Sequence, residues 1–377
     1  LDSIGPRLTG TPGFAAAGDW LLSKYAAWGI EAEKQVYGTW RGWERGYTHI
    51  DLVSPRVRTL EGMMLAWSPG TDGPVEGEVI VPPNFTNTAE FEAWLPQVAG
   101  KMVAITFPEP TCREDQSWID HATPETFDEM VLARNEARRA FAMSTRAMGQ
   151  GSAQRIADAG ALATISGRWS AGWGVDKIFG SPTDAIPGLH LSCEDYGLVA
   201  RMAERGQSPR IRLDAQAEFV GDVPSFNVVG TIPGTELPNE YVVLSAHLDS
   251  WDGASGATDN GTGTLMMLEA MRIIKAAYPN PRRTIVVGHW AGEEQGLIGS
   301  TAFAADNPEI IDGLQAAFNQ DNGTWRIDYI RMQGFTGAGA HFARWFSVMP
   351  NQITDHIELD VPGMPESGGR DHMSFIC

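Results

Sequence analysis

Apolar positions near the start of the chain recur at helical spacing. Ala16, Trp20, Leu21, Tyr25 and Trp28 fall on one face of "TPGFAAAGDWLLSKYAAWGIEAEKQ", which predicts a loop and then an amphipathic helix. Gly29 is placed to end that helix before a strand. From about Thr59 the pattern shortens. "GEVIVPP", "KMVAITF", "ALATISG", "GLHLS" and "RIRLDAQAEF" read as short strands broken by Pro and Gly turns. Between them, "TPETFDEMVLARNEARRAFAMSTRAM" is charged and helix-prone, with Thr123 as its capping residue. From "SFNVVGTIPG" onward the pattern changes again. Strands at "EYVVLSAH", "RTIVVGHWA" and "LQAAFNQD" alternate with helices at "GTLMMLEAMRIIKAAY" and "LIGSTAFAAD".

Strands alternating with helices predict an α/β fold, a mostly parallel mixed sheet flanked by helices in three layers. At 377 residues the chain exceeds one ordinary core. We divide it into 1–56 and 220–377, two parts of one α/β domain, and 57–219, a mainly β insert with a helical excursion at about 112–150. Composition adds limits. The 28 basic and 47 acidic residues give a net charge of −19, which disfavours nucleic acid and anionic membrane as partners. No apolar run reaches the roughly 18 residues of a membrane span. The three cysteines, Cys112, Cys193 and Cys377, are too scattered for a disulfide scaffold or a Cys-type zinc site, while a Cys112–Cys193 bridge and isolated thiols both remain open.

In such a sheet ligands sit beyond the carboxyl ends of the strands. After "YVVLSA" come His247 and Asp249, after "TIVVGHWAG" come Glu293 and Glu294, and after "LQAAFNQ" comes Asp321. Asp259 lies in a Gly-rich turn entering a helix. Carboxylates gathered at one mouth repel one another unless cations hold them. A histidine among carboxylates is a donor set that zinc accepts. Adjacent glutamates on a loop point in different directions, so one can bind metal while its neighbour faces substrate as a general base.

"AHLDSWDGASGATDNGTG", "GHWAGEEQGLIGS", "NQDNGT" and "GGRDHMSF" resemble the M28 zinc peptidases, the group of co-catalytic two-zinc aminopeptidases. Through "HLDSWD" and "EEQG" the likeness runs to the carboxypeptidase Q (plasma glutamate carboxypeptidase) branch. "GPRLTGTPG" is similar to the family's usual opening, and 57–219 to its protease-associated insert. The resemblance implies that His247, Asp259 and Asp321 bind one zinc, with Asp259 bridging to a second zinc held by Glu294. It implies that Glu293 is the general base, that Asp249 accepts a hydrogen bond from His247, and that the Asp259–Asn260 peptide is cis. It places Arg370, Asp371 and His372 beside the substrate pocket.

In the family the second metal's histidine comes from a later segment, so this ligand is expected beyond Cys377, where the chain reads as cut. The second zinc site is then incomplete in this chain, and His372 is not its obvious replacement. The function implied is hydrolysis of terminal peptide bonds of peptides or dipeptides, in an extracellular or periplasmic setting. Aminopeptidase, dipeptidase and carboxypeptidase action all stay open, because Arg370 can pair a substrate carboxylate. A single-zinc glutaminyl cyclase-like acyltransferase and an inactive binding relative are the alternatives, and the intact ligands and base argue against both. A homodimer is open. His289 reads as a core side chain, "CREDQSWIDH" with His121 as a possible lid, and Trp251 and Trp325 as pocket lining.

Overall fold

The structure, a computed structural model, describes residues 3–167, 173–175, 178–365 and 368–376. Helix α1 (Pro12–Ala27) begins where the Thr11 hydroxyl accepts the Phe14 N–H, the usual service of a threonine cap. It stops before Gly29, which takes φ +65°. There follow β1 (Glu31–Ser54), β2 (Arg58–Thr59), β3 (Gly62–Met64), β4 (Val75–Ile80), α2 (Thr88–Trp94) and β5 (Lys101–Ala104). The excursion comprises α3 (Asp115–His121) and α4 (Pro124–Met148), the latter capped by Thr123. Next come α5 (Ser152–Asp158), β6 (Ala163–Ser166), β7 (Gly188–Leu191) and α6 (Cys193–Glu204). The remainder is β8 (Arg210–Ile232), β9 (Leu237–His247), α7 (Thr262–Ala277), β10 (Arg283–Trp290), α8 (Ile298–Asp306), α9 (Pro308–Asp312) and β11 (Leu314–Asn319). Last are β12 (Tyr329–Arg331), α10 (Ala338–Phe346), α11 (Asn351–Thr354), β13 (Glu358–Asp360) and a short helical turn at Asp371–Phe375.

One sheet runs through the molecule in the order β11-β9-β10-β8-β4-β5-β6-β7-β3. Two parallel blocks, β11-β9-β10 and β4-β5-β6-β7, flank β8, which is antiparallel to both β10 and β4. The long β1 pairs with β8 from Glu31↔Thr231 to Ser54↔Arg210, so a two-stranded ribbon spans both blocks.

The central strands are apolar on consecutive residues because both faces are covered, as parallel sheets require. Leu244 and Val287 join α1 and α7 in one core, through Leu21, Tyr25, Met267 and Met271. Their neighbours Val243 and Val286 face the other way, into Trp290, Phe303 and Phe375. The other block repeats this scheme. Met102 packs with Tyr196 and Val199 of α6, whereas Val103 packs with Phe91 of α2 and Ile156 of α5.

Reading 57–219 as short strands finds β4 to β7 but omits α2, α5 and α6, so this stretch is α/β rather than mainly β. The 7-residue helices α2 and α5 carry too few turns for apolar periodicity to declare them, whereas the 12-residue α6, capped by Ser192, is long enough to read and the strand reading omits it. Cys112 and Cys193 form a disulfide, which ties the chain before α3 to the start of α6. Cys377 lies outside the described residues. The excursion packs on α2, and Ala140, Phe141 and Ser144 of α4 help line a cavity of about 660 Å³ against β4 and β5. No described residues of that cavity form a metal-ligand cluster.

Candidate metal centre

β9, β10 and β11 run parallel, so their carboxyl ends open on one edge of the sheet. β9 delivers His247, the loop after β10 delivers Glu293 and Glu294, and the turn after β11 delivers Asp321. Asp259 comes from Ala257–Gly261, where Asp259 and Asn260 leave helical dihedrals and the peptide between them is cis. Asn260 is buried and holds this turn. Its amide donates to the Gln320 carbonyl at 2.7 Å, and its Oδ1 accepts the Gly263 N–H at 3.0 Å.

Three of the expected ligands converge. His247 Nε2 lies 3.3 Å from Asp259 Oδ1 and 3.3 Å from Asp321 Oδ1. One ligand atom from each of these residues lies within 4.8 Å of the others, the sole such group among the described residues. Glu293 Oε2 stands 3.9 Å from the same imidazole nitrogen. The donor chemistry, one imidazole nitrogen with carboxylate oxygens, fits zinc. The carboxyl groups of Asp249, Asp259, Glu293, Glu294, Asp321 and Asp371 around a buried histidine are also a costly arrangement without a cation.

The electrostatics express this crowding. Burial alone disfavours an imidazolium at His247, but the Asp249, Asp259 and Asp321 carboxylates together hold it well above the usual histidine range. Burial pushes the Glu293 carboxyl up to about 8; His247 pulls it back, and Asp371, Asp321 and Asp249 push further. Asp371 is fully buried and is likewise pushed up to about 7 by burial, against the opposing Ser300 hydroxyl and His247.

Asp249 differs in detail from its expected part. His247 Nδ1 is 3.0 Å from the Asp249 carbonyl and 3.5 Å from its carboxylate. The carboxylate instead accepts the backbone N–H groups of Glu293 at 3.2 Å and Glu294 at 3.3 Å. Glu294 lines the cleft without joining the three-atom cluster. That cleft, about 560 Å³ and open, is lined by Thr258, Asp259, Glu293, Glu294, Asp321 and Arg370, among others. Arg370 donates through Nε to the Asp321 carbonyl at 2.9 Å and stands 3.7 Å from Asp321 Oδ2. His372 is half-buried in the Asp371–Phe375 turn and is not in the cluster.

His289 is a buried core side chain, as expected, with the Tyr25 hydroxyl 2.6 Å from its Nε2. The two tryptophans are placed otherwise. Trp251 packs on Trp67 and Phe179, and Trp325 is 88% exposed beside an apolar groove with Phe318 and Trp345.

Three supporting residues escaped the sequence reading. Arg7 donates to the Leu248, Ser255 and Gly256 carbonyls. Asn227 of β8 donates to the Gly299 carbonyl and accepts the Ala291 N–H, holding both ends of the glutamate loop. Thr264 donates to the His247 carbonyl at 2.8 Å. Asn227 was signalled only as a polar residue inside the apolar run "SFNVVG", and Arg7 only by its place in "GPRLTGTPG".

Residues 227–376 match the family model described as peptidase family M28. Carboxypeptidase Q of Mus musculus is 28% identical over 344 residues, covering 90% of this chain and 67% of that protein. The chain thus spans about two thirds of that relative's length. A peptidase M28 precursor from Shewanella amazonensis superposes with a TM-score of 0.68 at 23% identity, covering 98% of this chain and 78% of that one. A zinc aminopeptidase from Bacillus subtilis superposes with a TM-score of 0.62 at 19% identity, covering 99% and 78%. The motif-bearing segment 227–376 thus matches peptidase family M28, and the relatives and the fold agree with that match over most of the chain.

Proposed function

We propose that this chain is an M28 peptidase, a zinc-dependent exopeptidase that cleaves terminal bonds of peptides or dipeptides. The observation that carries the reading is the convergence of His247 Nε2, Asp259 and Asp321 beside the half-buried Glu293, at the edge where three parallel strands end. The Bacillus subtilis neighbour is a zinc aminopeptidase and the Mus musculus relative a carboxypeptidase, and both names fit exopeptidase chemistry.

In this reading His247, Asp259 and Asp321 hold one zinc ion, and Asp259 with Glu294 faces a second. Bound zinc supplies Lewis acidity toward the scissile carbonyl and an acidified water. The chain's own groups do the rest. Glu293 takes a proton from the attacking water and returns it to the leaving amine. Its elevated proton affinity matches a base that must also act as an acid. Asp249, anchored on the Glu293 and Glu294 amides, keeps base and ligand loop in register. Carboxylates around the cleft favour a substrate α-amine, and Arg370 at its rim favours a substrate carboxylate, so a free dipeptide satisfies both.

Residues 57–219 serve as the protease-associated insert of this scheme. An extracellular or periplasmic setting suits the Cys112–Cys193 disulfide, since such bonds persist in oxidising compartments. No helix among the described residues is long and apolar enough to cross a membrane.

The test is hydrolysis of free dipeptides against N-blocked and C-amidated versions, before and after chelation. We expect cleavage of free dipeptides that chelation abolishes and zinc restores. Cleavage indifferent to chelation would sink the reading.

A further inference from the structure

We infer that Arg7 is a positioning residue of the metal centre, a clasp that joins the two ends of the loop between His247 and Asp259. The inference rests on the metal reading of that site.

Arg7 is 2% exposed, although it comes from the opening loop more than 200 residues away in sequence. Its Nε donates to the Leu248 carbonyl at 2.8 Å, directly after His247. Its Nη2 donates to the Gly256 carbonyl at 2.8 Å, and Nη1 to the Ser255 carbonyl at 3.3 Å, just before Asp259. The Arg7 backbone is fixed in turn, its N–H donating to Ser250 Oγ at 3.0 Å and its carbonyl accepting the Ser250 N–H at 3.1 Å. One rigid planar group therefore ties the loop's beginning to its end.

Two further observations point the same way. Gly256 adopts φ +60°, and a Cβ there would stand 2.8 Å from Arg7 Nη2 and 2.5 Å from Ser250 Cβ. Absence of a side chain is what lets this carbonyl reach the guanidinium. The Asp249 and Asp259 carboxylates also act on the guanidinium, against the effect of its burial. The loop's tip has its own anchor, with Arg45 Nε 2.6 Å from Asp252 Oδ2, so Arg7 governs the two ends where the ligands sit.

A lysine carries the same charge on a single head, which cannot span both ends as the fork does. Charge alone and clasping thus predict different results. The experiment compares wild type, R7M and R7K by zinc competition with a chromophoric chelator and by amide exchange of residues 248–258 in the metal-free state. We expect both variants to bind zinc about ten- to a hundredfold more weakly. Their loop amides should exchange at least about tenfold faster, with β10 still protected. If R7M does not fold, R7K carries the comparison.

Zinc affinity within about twofold of wild type in a folded variant would overturn the inference, as would full rescue by R7K. Wild type that binds no zinc, while R7K still loosens the loop, would overturn the metal reading itself.

Discussion

The buried carboxylate of Asp249 accepts the backbone N–H of Glu293 at 3.2 Å through one oxygen, and that of Glu294 at 3.3 Å through the other. Two loops from different strands are joined at this point. The residue two places after the histidine therefore sets where Glu293 stands as well as how the imidazole is oriented.

D249N turns one of those acceptors into a donor that must face a backbone N–H. We expect zinc affinity and kcat/KM to fall about ten- to a hundredfold, with the fold retained. Chelator competition on purified D249N measures this, and a loss smaller than threefold would remove Asp249 from the argument.

Glu293 and Glu294 are neighbours with separable roles. E293Q should lower kcat by about a hundred- to ten-thousandfold while zinc content stays at the wild-type level. E294Q should lower zinc content first. Steady-state kinetics on a free dipeptide, paired with elemental analysis of the same preparations, separates them. Parallel loss of zinc in E293Q would make Glu293 a ligand instead of the base.

His289 gives a pH dependence unrelated to the metal. Burial pushes it down to about 3, so the folded protein keeps it neutral where the unfolded chain takes up a proton near pH 6.5. The unfolded state then binds more protons at acid pH, and stability is lost as pH falls from about 6.5 toward 3. At pH 5 the loss is about 2 kcal/mol. Urea unfolding between pH 5 and 7.5 should show this slope, flattened in H289Q. An unchanged slope in H289Q would mean that other groups set it.

The Cys112–Cys193 disulfide closes a separation of 81 residues. Chain entropy puts its contribution near 4.5 kcal/mol. The double variant C112S/C193S should unfold at lower denaturant by a corresponding amount, while zinc affinity at the cleft, which neither cysteine lines, stays put. Equal stability of the two proteins would show that the excursion is held by packing alone.

Much of the site was legible because parallel sheets put chemistry at strand ends. Three apolar runs, each followed by His247, by Glu293 and Glu294 or by Asp321, name both the elements and the edge on which they open. Thr123 and Gly29 mark helix ends by their own local chemistry, which needs no tertiary partner. The motif likeness carried the rest of the expected ligand set.

Other features were decided only in three dimensions. A single strand, β8, unites two parallel blocks, because sheet order depends on pairings between residues far apart in the chain. Helices α2 and α5 exist through burial against β5 and its neighbours, not through a periodicity long enough to read. Whether Cys112 meets Cys193 is likewise a question of distance. Nothing in the sequence pairs Arg7 or Asn227 with the loops they hold. They matter because folding removes water from loop carbonyls and amides, and a buried backbone group must then find a partner wherever the chain can supply one. The sequence by itself determined the side-chain types and their strand-end order; tertiary structure decided which distant side chains hold those groups at their spacing.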